Sequence, residues 1–183
     1  MKLYYALIPL VILVAAIVVF LHLRSRRNPE GPVVHVENGF EFTVRAPYDK
    51  VAPLFGAHGE RAWAGQDWDP QFLHPLPAQD VEGEVFTVAH RNTHATWVNT
   101  AFDLQTGHMQ YVYVMPDVQA VLIDVRLQHD DPLKTGVKVL YERTALKSLF
   151  NDHIRELGKK DSESAAEWQG AIEEHLGVSF AER

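Results

Sequence analysis

No cysteine occurs among the 183 residues, so disulfide scaffolds, thiol nucleophiles and cysteine-based zinc sites are excluded. Positive charge is scarce: 17 Lys and Arg stand against 24 Asp and Glu. Four of those 17, Lys2, Arg24, Arg26 and Arg27, flank an apolar run at the start, and the other 13 share residues 28–183 with all 24 acidic residues, a net −11. Such a surface repels phosphate backbones, so nucleic-acid binding is not expected. Also missing are a nucleophile elbow, a phosphate-cradling glycine loop, an H-E-x-x-H pair and any internal repeat. The length suits about one ordinary domain.

Residues 3–23, LYYALIPLVILVAAIVVFLHL, carry no formal charge. As a helix rising about 1.5 Å per residue they would span about 30 Å of hydrocarbon. Tyr4 and Tyr5 suit an interfacial belt, and Pro9 falls in the first turns. A cleaved signal peptide is the weaker reading, because the run exceeds the usual apolar core and no small-x-small site precedes Arg24. The expectation is an uncleaved single-pass transmembrane helix. Arg24, Arg26 and Arg27 on its far side favour a cytoplasmic domain. The expected organisation is an anchor with basic flank over 1–27, a linker over 28–33, a ligand-binding domain over 34–178 and a tail over 179–183.

Within 33–45, Phe40, Phe42 and Val44 alternate with Glu41, Thr43 and Arg45, the period of a half-buried strand; Asn38-Gly39 permits a bend inside it. Residues 48–55 and 58–64 read as one or two short helices. The stretch 65–79, with three prolines and no period, reads as a long ordered loop. Five strand-like runs follow, over 82–91, 96–104, 109–115, 118–129 and 135–144, with connections short enough to make them antiparallel. From Lys147 to Leu176 apolar residues recur at threes and fours, predicting one long amphipathic helix. Gly158 and a capping-box pattern, Ser164-x-x-Glu167, argue for an interruption; the in-phase stripe argues against it, and the unbroken helix is preferred.

The succession FEFTVRAPYDKVAPLF, RAWAGQDWDPQFLHP, GEVFTV, Trp97, Thr135-x-Val137-x-Val139-x-Tyr141 with Thr144-Ala145-Leu146, and a helix carrying Trp168 resembles the SRPBCC superfamily. That superfamily includes START lipid-binding domains, polyketide cyclases and birch-pollen-allergen-like proteins. The resemblance covers about residues 36–176. It implies an α+β helix-grip fold, a curved antiparallel sheet wrapped around a long C-terminal helix and enclosing an elongated apolar cavity. The apolar segment at 3–23 departs from this mostly soluble family.

Candidate ligand-binding residues are Trp63, Trp68, Phe72, His74, Trp97, Tyr111, Tyr113, Tyr141 and Trp168, whose rings give an apolar wall with a few polar tips. Each also suits plain core packing. The loop 63–77 is the candidate gate; Asp67 and Asp69 beside Trp68 read as turn and cap residues. His90-x-x-x-His94, with His74 or His108 as a third ligand, does not fix a zinc geometry, so neither a metal nor a cofactor is expected. His153 and His175 lie near the helix stripe as packing residues. No catalytic residue is singled out, although His74, His90, Tyr111, Tyr113 and Tyr141 carry usable acid/base groups. The preferred function is a membrane-tethered module holding a lipid-, isoprenoid- or quinone-type molecule, with an unidentified membrane protein as a further partner. The alternatives are a cyclase-like enzyme using a Tyr or His of the same cavity, and an interaction protein with an acidic surface.

Overall fold

The structure, a computed structural model, describes residues 31–90 and 93–178; those from Val33 onward belong to one compact unit, Val33–Arg183. Strand β1 (His35–Val44) leads into α1 (Tyr48–Val51), a 3-10 turn (Ala52–Phe55) and α2 (Ala57–Glu60). Strands β2 (Gln71–His74), β3 (Val85–His90), β4 (Thr93–Asp103), β5 (His108–Met115), β6 (Gln119–Asp131) and β7 (Lys134–Ala145) follow. A 3-10 turn (Ser148–Phe150), α3 (Asn151–Glu163) and α4 (Ala165–His175) complete the order. The seven strands form one antiparallel sheet in the order β1-β7-β6-β5-β4-β3-β2, with the C-terminal helices packed on it. This is the α+β helix-grip arrangement.

Alternation decides which side of the sheet is buried. Phe40, Phe42 and Val44 of β1, and Val121, Ile123, Val125 and Leu127 of β6, all enter one core while their neighbours stay wetter. Asn38-Gly39 makes no bend: β1 runs through it. A Cβ on Gly39 would lie 2.6 Å from the Val139 carbonyl oxygen, so glycine here serves the close approach of β1 to β7.

Two expected elements need correction. The stretch 65–79 is not wholly loop, because Gln71–His74 pairs with β3 at the sheet edge; four residues with a register shift are too few for a visible period. The C-terminal helix is broken at Ser164. The Ser164 hydroxyl donates back to the Lys160 carbonyl at 2.9 Å instead of capping α4, a local bond that bends helices. Gly158 lies inside α3, where a Cβ would sit 2.7 Å from Asn38 Nδ2 and 2.9 Å from Val36 Cγ2. Its lack of a side chain brings α3 down onto β1.

The expected anchor over 3–23 and its basic flank lie outside the described residues. Among the described residues no helix is long and apolar enough to cross a membrane; the longest has 13 residues, against about 20 for a bilayer. On that finding the single-pass membrane location, with its cytoplasmic domain, is withdrawn.

Two ion pairs fasten the helices to the sheet. Arg143 of β7, almost fully buried, donates to both carboxylate oxygens of Asp161 on α3, at 2.5 and 2.7 Å, and also to the Tyr113 hydroxyl at 2.8 Å. Arg45, just after β1, donates from its backbone N–H and its guanidinium to the buried Glu173 of α4, at 2.8–3.1 Å. Asp161→Ala leaves a buried guanidinium uncompensated and is expected to cost about 3–5 kcal/mol in chemical denaturation. The Glu173 carboxyl is held below its usual pKa chiefly by the Arg45 side chain. Its stabilisation is therefore present above the unfolded carboxylate pKa and lost as pH falls through the folded value. Melting temperatures measured from pH 7 down to pH 3 are expected to fall less steeply for Glu173→Gln than for the parent.

Candidate functional site

Between the sheet, α2 and α4 lies a cavity of about 310 Å³. Its walls are largely aromatic: Trp63 and Trp68 from the segment after α2, Phe86 and Trp97 from β3 and β4, Tyr111 and Tyr141 from β5 and β7, and Trp168 from α4. These four tryptophans are all that the chain has. Their rings meet edge to face, Trp63 against Trp168 at 5.2 Å and Trp68 against Trp97 at 5.4 Å. Such geometry is favourable for aromatic quadrupoles and leaves space between the rings. Ile123 and Val125 of β6 supply the aliphatic floor.

Several polar groups on the wall are already committed. The Trp63 indole N–H donates to the Leu54 carbonyl at 2.7 Å and that of Trp68 to the Ala57 carbonyl at 3.1 Å. The Tyr111 hydroxyl donates to the Phe55 carbonyl, tying β5 to the short helices that cover the cavity. Trp97 Nε1 differs: it is buried and has no hydrogen-bond partner. A buried donor left unpaired costs about 1–3 kcal/mol, and this one belongs to a residue of the cavity wall. Glu60 and Glu167 also reach the wall. Burial, with Asp80 adding to it, pushes the Glu60 carboxyl well above the usual range. Burial likewise raises the Tyr111 and Tyr141 hydroxyls, which stay protonated near neutral pH.

Of the nine candidate residues, Trp63, Trp68, Trp97, Tyr111, Tyr141 and Trp168 come together around this cavity and three do not. Tyr113 stacks on Trp97 at 4.2 Å, but its hydroxyl accepts from Arg143 and Gln119, so it belongs to the ion-pair network. Phe72 stacks on the His58 ring at 4.2 Å, outside the wall. His74 is exposed. The His90 side chain lies outside the described residues, and His108 is taken by Asp124 at 2.8 Å. Glu60 was not legible in advance, because a four-residue helix has no periodicity to show which side faces in.

A second polar cluster adjoins the short helices. Asp80 Oδ1 accepts the His58 backbone N–H at 3.0 Å. Glu84, fully buried, accepts from Asn99 Nδ2 at 2.9 Å through Oε2. Its carboxyl is pushed up to about 7 by burial and by Asp80.

No family model matches the chain and no curated protein matches it. Solved structures share its fold. Norcoclaurine synthase from Thalictrum flavum, solved in complex with dopamine and hydroxybenzaldehyde, superposes with a TM-score of 0.59 at 10% identity, covering 82% of this chain and 91% of that one. Ara h 8.0201 gives 0.56 at 17% identity, over 81% and 100%. The Zhui aromatase/cyclase from Streptomyces sp. R1128 gives 0.57 at 15% identity, over 79% and 96%. The chain has the helix-grip fold of these structures. At these identities the likeness extends to the fold alone.

Tyr111→Phe removes the hydroxyl that holds the Phe55 carbonyl. It is expected to cost about 1 kcal/mol and to speed amide hydrogen exchange over residues 52–60 more than in the sheet.

Proposed function

We propose that the cavity binds a compact, largely apolar ring molecule carrying a hydrogen-bond acceptor. The carrying observation is a pocket walled by aromatic rings, one of whose lining residues, Trp97, has an indole N–H that is buried and unpartnered. A ligand carbonyl or hydroxyl oxygen would satisfy it while the rings sandwich the apolar body. Size narrows the class. About 310 Å³ lies at the small end of ligand pockets, which run from about 300 to 1,000 Å³, a size that suits one or two rings. Within the lipid, isoprenoid and quinone classes, this favours a quinone-like molecule. The fold is shared with a synthase solved with two small aromatic molecules and with an aromatase/cyclase, which makes a ring-shaped ligand a natural analogy. No arrangement among the described side chains selects a reaction, so binding is the function proposed.

Because every tryptophan lines the pocket, intrinsic emission reports its occupancy. Titrating the purified full chain with 1,4-naphthoquinone is expected to give saturable quenching, with native mass spectrometry showing one bound molecule. Trp97→Phe should keep the fold and weaken binding about tenfold, the equivalent of about 1.4 kcal/mol for one hydrogen bond. Ala171 lines both the cavity and the shallower depression beside it, so Ala171→Trp should block entry. Absence of saturable quenching, together with no apolar molecule extracted from the purified protein, would overturn the reading.

A further inference from the structure

The geometry points to a divalent-cation site formed by His58, Asp80 and Glu84, separate from the aromatic cavity. One donor atom from each of the three residues lies within 4.8 Å of the other two. A tetrahedral site with bonds of about 2.0–2.1 Å has edges of about 3.3 Å, so donors no more than 4.8 Å apart need at most a small inward shift to share an ion.

The surroundings prepare each donor. Glu84 is fully buried, and its backbone is pinned on both sides: its N–H donates to the Val81 carbonyl and its carbonyl accepts the Asn99 N–H at 2.9 Å. Asn99 also holds Oε2, which leaves Oε1 buried with no hydrogen-bond partner. Native interiors seldom leave a carboxylate oxygen in that condition, and a bound ion is one of the few explanations. Asn99 sits at a register shift between β4 and β5, a bulge of the kind that re-aims side chains near sites.

Space for Asp80 comes from Gly56. Its backbone is extended, with φ −85° and ψ 159°, so any residue could adopt it. A Cβ there would lie 2.2 Å from the Asp80 Cγ, and the missing side chain is what admits the carboxylate. The His58 ring is held flat against Phe72, with 7° between the planes.

The donor set selects the ion. Two carboxylates balance a double positive charge, and burial makes a second negative charge costly without one. Calcium wants six to eight oxygens, and magnesium keeps most of its waters. Two oxygens with one imidazole suit Zn²⁺, with a fourth position left for water.

The probe is Zn²⁺ itself, titrated into chelator-treated full chain by calorimetry, with visible d–d absorption of substituted Co²⁺ reporting coordination. One saturable site is expected, weakened at least tenfold by Asp80→Asn, Glu84→Gln and His58→Ala, and unchanged by His153→Ala at an exposed position of α3. Should Glu84→Gln fail to fold, His58→Ala decides, because that residue is exposed. No saturable binding, or binding that survives both carboxylate variants and is therefore adventitious on surface histidines, would overturn the proposal. Naphthoquinone titration of the same variants keeps the two sites distinguishable, since none of the three residues lines the cavity.

Discussion

The buried pair of Arg143 and Asp161 is the interaction on which the helix grip depends. A guanidinium on the inward face of β7 would be prohibitive alone, and it is tolerated because its donors go to Asp161, Tyr113 and Gln119 while it lies over the Tyr141 ring at 4.8 Å. The pair fixes where α3 meets the sheet. Ile154, Gly158 and Asp161, at helical spacing, form the contact stripe: one packs, one permits approach and one binds. Arg45 and Glu173 repeat the device at α4. The second helix is thus set at its own angle, across the break at Ser164.

The cavity follows from that second attachment. Trp168 reaches from α4 to Phe40 at 5.2 Å and to Trp63 at the same distance, both edge-on or nearly so. Large rigid rings meeting at edges cannot close all the space between them as flexible aliphatic chains do. The hollow is accordingly a property of which side chains were used and how they are braced, as with Trp63 and Trp68 on backbone carbonyls of the short helices.

Alternation made the strands readable in advance. Phe40-Phe42-Val44 and Val121-Ile123-Val125-Leu127 mark the buried face without help from any fold, and the order of elements carried the helix-grip resemblance. Local chemistry that competes with a pattern was harder. The apolar stripe of the last helix stays in phase through Ser164, so a side chain bonding back to Lys160 left no trace in the period. Tyr113 carried no sign that Arg143 would claim its hydroxyl, because a buried arginine is readable only once its partner 18 positions away is known. Glu60, Asp80 and Glu84 come from short or irregular segments, where no periodicity ranks one carboxylate above another.

Strand β2 ends the sheet on one side with four residues, a register shift, and a proline immediately before and after it. A proline offers no N–H, and an irregular four-residue edge presents too short a row of groups to template another chain. The short β2 thus leaves this edge of the sheet with little backbone to offer another strand, in contrast to the ten-residue β1 at the opposite edge.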